Sequence, residues 1–137
     1  MSRKQTRSEA RTEAFKLIFQ SAVNDEEPDF LINTMLEERP ESMKNIDYIK
    51  TVFLGVLAKK EEIDGKISEN LGKGWSIDRI SRVSLAVLRL AVFEILYVED
   101  VPEKVAINEA VEIEKRFDDP DNSAFVNGVL GGFIKSL

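Results

Sequence analysis

Val83-Ser84-Leu85-Ala86-Val87-Leu88-Arg89-Leu90-Ala91-Val92-Phe93-Glu94-Ile95-Leu96-Tyr97-Val98 is the stretch that decides the fold. From Ile80 to Tyr97 the apolar residues go almost all the way round a 3.6-residue turn, so the segment reads as a central helix with neighbours on most sides. It is too short for a bilayer span, which needs about 20 apolar residues, and it carries Arg89 and Glu94. Buried charges persist when they are paired or hydrogen-bonded, so these two are read first as structural, through an ion pair or bonds to backbone carbonyls. With 43% hydrophobic and 32% charged residues in 137 positions, the chain has enough apolar material to bury a core unaided.

Downstream, Asp100-Val101-Pro102 starts another helix, with Ala106, Ala110, Ile113 and Phe117 on one stripe and Ile107 and Val111 beside them. Asp118-Asp119-Pro120-Asp121-Asn122-Ser123 is a stop and restart rich in capping residues, and a last helix runs to the C-terminus. Upstream, Gly72-Lys73-Gly74-Trp75 is the clearest punctuation. Ser76 is the expected N-cap after it, Asp78 lies in the first turn where the helix dipole favours an anion, and Trp75 reads as an anchor for the loop. Before it, the apolar period from Ile46 to about Leu71 predicts one long helix, bent near Lys59. A short helix through Phe30, Leu31, Met35 and Leu36 ends near Arg39-Pro40. The first helix begins at Ser8, with Arg11, Phe15, Ile18 and Ala22 at helical spacing. The chain is thus expected to be all-α, a compact bundle of about seven helices in two packed subdomains of a single domain, residues 1–137, with halves of about 1–72 and 73–137.

The absence of cysteine and histidine excludes disulfides, thiol nucleophiles, Cys/His zinc sites and imidazole bases. No phosphate-loop motif occurs, and Gly128-Val129-Leu130-Gly131-Gly132 falls inside a helical period instead. The acidic pairs Glu61/Glu62 and Glu112/Glu114 and the run Asp118/Asp119/Asp121 read as solvated faces and caps, without the spacing of a calcium loop. Asn108 and Glu109 read as residues that orient helix packing. No catalytic residue, metal site or cofactor is therefore expected. The basic start lacks an apolar region and cleavage site, which makes the cytoplasm the default expectation. Arg3, Lys4, Arg7, Arg11 and Lys16 outnumber Glu9 and Glu13 over residues 1–20, so the net charge of −6 conceals a positive arm on an acidic remainder. That balance argues against a general nucleic-acid coat, yet a local basic arm can bind a polyanion; the alternative is a solvated, frayed terminus.

The last helix offers a geometric clue. At 3.6 residues per turn, Phe125 falls roughly 100° from the centre of the stripe formed by Val126, Val129, Leu130, Phe133 and Leu137. It shares its edge with Asp121 and with Gly128, where no side chain shields it. A half-exposed aromatic beside a flat glycine surface is a platform for an unpaired base; the other reading is packing at the core's margin.

Val101-Pro102-Glu103-Lys104-Val105-Ala106-Ile107-Asn108-Glu109-Ala110-Val111-Glu112, followed by Phe125-Val126-Asn127-Gly128-Val129-Leu130, resembles the signature of the NusB family. Val87-Leu88-Arg89-Leu90-Ala91-Val92-Phe93-Glu94 is similar to its central-helix motif, and Arg7-x-x-x-Arg11 with Ala14-Phe15-Lys16-Leu17-Ile18-Phe19-Gln20 to its first helix. The resemblance implies an all-helical, non-enzymatic transcription antitermination factor that pairs with the ribosomal protein NusE. The two would bind single-stranded boxA leader RNA of ribosomal operons on transcribing RNA polymerase. It assigns the basic segment to Arg3, Lys4, Arg7 and Arg11, the acidic residue near RNA to Asp121, the base-contacting aromatic to Phe125, and a partner-linked aromatic to Phe19. Ala124 stands where the family often has a lysine, which weakens the phosphate attraction, and Gly131-Gly132 where it often has an acidic-basic pair. A protein-only interaction module is the other reading. A fused RNA methyltransferase is disfavoured because no glycine-rich cofactor unit follows. Whether the chain pairs with itself is open at this stage, and no membrane partner is expected.

Overall fold

The computed structural model describes residues 4–137, so Arg3 lies outside the described residues. Among the described residues there are seven α-helices, three 3-10 turns and no strand. They fall into two units, Met1–Ala58 and Lys59–Leu137.

In the first unit, α1 (Arg7–Val23) starts one residue before the position expected from sequence, because Thr6 caps it. The Thr6 hydroxyl accepts from the Glu9 amide at 3.0 Å, and the Glu9 carboxylate accepts from the Thr6 amide at 3.0 Å, satisfying two amides that the first turn would otherwise leave open. α2 (Pro28–Glu38) has proline in its first turn, where a missing N–H costs nothing, and stops before Pro40. A 3-10 turn (Pro40–Asn45) leads into α3 (Ile46–Ala58). α1 packs on α3; Ala14, Phe15 and Ile18 from one and Ile49, Val52 and Phe53 from the other are buried. Arg39, at the end of α2, donates from Nε to Glu13 Oε1 on α1 at 2.6 Å. Burial disfavours the Arg39 charge, but the Glu13 and Glu38 carboxylates more than offset this and raise its pKa.

The long helix expected from Ile46 to Leu71 is two helices, with α4 at Lys60–Glu69. The division between units falls at the same point, earlier than the Gly72–Trp75 connection where the sequence placed it. The physical reason is visible in Lys59 to Glu62, all exposed: no buried side chain carries the helix across the junction. Beyond it, α4 packs on α5 and α7 and belongs with them.

In the second unit, α5 (Arg82–Tyr97) packs against α4, α6 (Glu103–Phe117) and α7 (Ser123–Lys135), as its all-round apolar surface demands. Its residues from Ala86 to Glu94 are all buried. Arg89 is held by α4, with Nε and Nη2 donating to the two Asp64 oxygens at 2.8 and 2.9 Å. The structural ion pair is real, and its partner is Asp64. Ser81, not Ser76, caps the long helix: its hydroxyl accepts from the Ser84 amide at 2.9 Å, whereas Ser76 makes no side-chain cap. Ser76 precedes only a 3-10 turn, Ile77–Arg79. No helix of the described residues is long and apolar enough to cross a membrane.

Candidate nucleic-acid interface

The first unit presents the basic segment. Gln5 is 8% exposed and bound into the fold: its Nε2 donates to Ser42 Oγ at 2.9 Å, and Asn45 Nδ2 donates to its backbone carbonyl and side-chain oxygen at 3.1 and 3.0 Å. From Gln5 onward the chain is therefore anchored, not frayed. Lys4 and Arg7 are exposed. The Arg7 guanidinium lies 4.2 Å from the centre of the Tyr48 ring, a cation–π contact that leaves its N–H groups at the surface. Arg11 departs from expectation. It is 2% exposed and sits 5.8 Å from the same ring, so its guanidinium belongs to the interior of the protein and not to a phosphate-facing surface. Its position on the stripe shared with Phe15 and Ile18 is the physical cause. Phe19 is half-buried on α1, its ring 6.4 Å from that of Phe15.

The second unit presents aromatics. Pro120–Asn122 forms a 3-10 turn capped by Asp119, whose carboxylate accepts from the Asp121 amide at 3.0 Å, and α7 follows directly. Asp121 is exposed in the turn, and Phe125 is half-buried in the first turn of α7. The surface beside Gly128 is open: a side chain there would meet nothing within 4 Å. The Phe125 ring has a neighbour absent from the sequence reading. Trp75, 51% exposed, lies 6.0 Å away at an angle of 42°. The Arg79 guanidinium is 5.5 Å from the Trp75 ring, and its Nη1 donates to the Gly74 carbonyl at 2.9 Å. Gly74 has φ +85°, the left-handed backbone that glycine adopts without strain, and it delivers Trp75 to this position. The one available signal was a tryptophan in a polar, glycine-rich connection.

These aromatics border a cleft of about 230 Å³ lined by Trp75, Arg79, Ile80, Ser81, Ser84, Asn122 and Phe125. Two acids lie behind its polar wall. Ser84 Oγ donates to Glu114 Oε2 at 2.5 Å, and Ser81 Oγ to Asp118 Oδ2 at 2.6 Å. Glu114 is fully buried, and its Oε1 has no hydrogen-bond partner. Burial, opposed by the Ser84 bond and reinforced by the nearby Asp118 charge, pushes its pKa up to about 7. Burial acts on Asp118 in the same direction, but bonds from Ser81, the Asp119 amide, Asn122 and Ser84 outweigh it and hold Asp118 below the usual carboxylate value. The arrangement offers stacking faces, one cation and a set of hydrogen-bonding groups, which suits recognition of a planar polar ligand.

Residues 8–135 match the NusB family. The chain belongs to the NusB family. A relative from Clostridium novyi (strain NT), called transcription antitermination protein NusB, is 42% identical over 132 residues, covering 95% of this chain and 98% of its own. The structure is similar to NusB of T. maritima, with a TM-score of 0.87, 34% identity, and 97% and 93% of the two chains covered. It is also similar to a chain in a structure described as antitermination factors NusB and NusE in complex with dsRNA, with a TM-score of 0.84, 28% identity, and 96% and 97% covered. The all-helical architecture expected from the sequence is thus the NusB architecture.

Proposed function

We propose that this protein is a cytoplasmic transcription antitermination factor, acting without catalysis as a single domain, that binds single-stranded boxA leader RNA of ribosomal operons together with NusE on transcribing RNA polymerase. The observation that carries the reading is the half-buried Phe125 ring lining a cleft, in a segment that shares the NusB signature. Lys4 and Arg7 supply phosphate attraction, and Asp121 accepts hydrogen bonds from base edges and restrains non-specific binding. Arg3 extends the basic segment. Phe19 is assigned to the NusE-dependent surface. Arg11, being buried, supports the first helix and drops out of the phosphate contacts.

The test is fluorescence anisotropy of labelled boxA-type RNA against a scrambled RNA of equal length, with and without NusE, at two salt concentrations. Tighter boxA binding that NusE strengthens is the expected result. Phe125→Ala is expected to weaken it by about fivefold to 150-fold, the worth of one stacked base, with helix content unchanged. Equal, salt-erased binding to both RNAs, or none with NusE present, leaves a helical protein-interaction module.

A further inference from the structure

The cleft beside Phe125 has a chemical polarity that the stacking platform alone does not require. Its volume, about 230 Å³, is below the roughly 300–1,000 Å³ of clefts that hold drug-sized ligands, and suits a single planar ring system. Two adjoining aromatic faces, Trp75 and Phe125, form one side of it. On the other side each serine hydroxyl has one proton, and both protons are already directed inward, Ser81 to Asp118 and Ser84 to Glu114. What the hydroxyls can still offer a ligand is lone pairs. Asn122 uses one N–H on Asp118, at 3.4 Å, and keeps its other N–H and its carbonyl oxygen. The wall made by Ser81, Ser84 and Asn122 is therefore mostly acceptor, with one donor, and stands in front of two carboxyl groups, while the cleft's cationic donor, Arg79, lies against the Trp75 ring.

We propose that this cleft is a subsite for one unstacked base bearing an exocyclic amino group, adenine or cytosine in preference to uracil, and that Trp75 is its second stacking wall. This deepens the proposed RNA-binding function and rests on it. Adenine and cytosine present an amino donor beside a ring-nitrogen acceptor, which matches a hydroxyl acceptor beside the Asn122 N–H. Uracil presents two carbonyl oxygens flanking one N–H. One of its oxygens can take the Asn122 N–H, but the other meets serine lone pairs and the negative field of Asp118 and is left unsatisfied. Arg79, beside the Trp75 ring and tied to the Gly74 carbonyl, lines the cleft as an exposed cation that can meet the flanking phosphate of a bound base.

Trp75 is the chain's one tryptophan, so its emission reports this cleft directly. The experiment titrates the full chain with oligoadenylate, oligocytidylate and oligouridylate of equal length, following Trp75 emission. In parallel, anisotropy measures labelled boxA-type RNA binding to the parent, Trp75→Ala and Trp75→Phe, with circular dichroism to show that each variant is folded. The expected result is quenching by the adenine and cytosine oligomers at concentrations at least about fivefold lower than by the uracil oligomer. A loss of about fivefold or more in boxA-type RNA affinity is expected for Trp75→Ala, with most of it restored in Trp75→Phe. Binding of boxA-type RNA with unchanged Trp75 emission and no loss in Trp75→Ala overturns the subsite and leaves the proposed function standing. Equal or stronger quenching by oligouridylate overturns the base preference. No binding of any RNA, with or without NusE, overturns both.

Discussion

Replacing Glu114 by glutamine isolates the buried carboxyl behind the cleft. The side chain is fully buried, one oxygen takes the Ser84 proton, and the other has no partner. In the folded protein its pKa stands at about 7 against an ordinary 4.5. A raised carboxyl pKa means that the native state holds its proton more tightly than the unfolded chain does. The stability linked to that proton is fully present below about pH 4.5 and is lost as pH rises through about 7. The difference of roughly 2.5 units at 1.36 kcal/mol each corresponds to about 3 kcal/mol. Glu114→Gln resembles the protonated acid in shape and cannot ionise. The stability of the variant relative to the parent is therefore expected to rise by about 3 kcal/mol between pH 4.5 and pH 8. Comparing the change with pH removes any constant cost of fitting the amide, whose N–H groups would face a site built for an acid. Urea unfolding at several pH values, followed by Trp75 emission, measures it. Parallel stability curves for the two proteins across this range would refute the reasoning. Asp118 acts with the opposite sign: its lowered pKa contributes stability that is present above the ordinary carboxyl range and lost as pH falls through its folded value.

Arg89→Ala leaves Asp64 without its two-point partner in a largely buried setting and is expected to cost about 3 kcal/mol in urea unfolding; a loss below about 1 kcal/mol would make the pair a surface one in effect. Gly131→Ala meets nothing within 4 Å and is expected to stabilise α7 by about 0.5–1 kcal/mol, whereas Gly132→Ala places its Cβ 3.0 Å from Asn70 Oδ1 and is expected to gain nothing or to destabilise. Thermal unfolding of the two variants separates them, and equal stabilisation would count against the close approach of Asn70, the C-cap of α4, to α7. Arg7→Ala is expected to lower the slope of log affinity against log salt for single-stranded RNA by about 0.7, and an unchanged slope would remove Arg7 from the phosphate contacts.

The helices were legible wherever a stripe of apolar residues had one phase. α1, α2, α5, α6 and α7 follow their sequence periods because burial of those stripes is what forms them. The junction at Lys59 was not, since a phase that continues across four exposed charged residues looks the same whether the backbone bends or breaks. The cap at Ser81 was obscured by Ser76, an equally good capping residue placed before a shorter turn. In the site, Phe125 was visible from its angle on the helix, but its contact with Trp75 depends on where a glycine loop turns, which no local period encodes. The burial of Arg11 was written in the sequence all along, through its place on the stripe of Phe15 and Ile18; its charge drew attention away from its phase.

The division of the chain at Ala58 and Lys59 also divides its optical reporters. The one tryptophan lies in the second unit, and the two tyrosines are shared out, Tyr48 in the first and Tyr97 in the second. Tryptophan emission therefore follows the melting of one unit, while far-ultraviolet dichroism averages over both. Superimposable traces from these two probes would mark the chain as a single cooperative body. Separated midpoints would assign a stability to each unit without cutting the polypeptide.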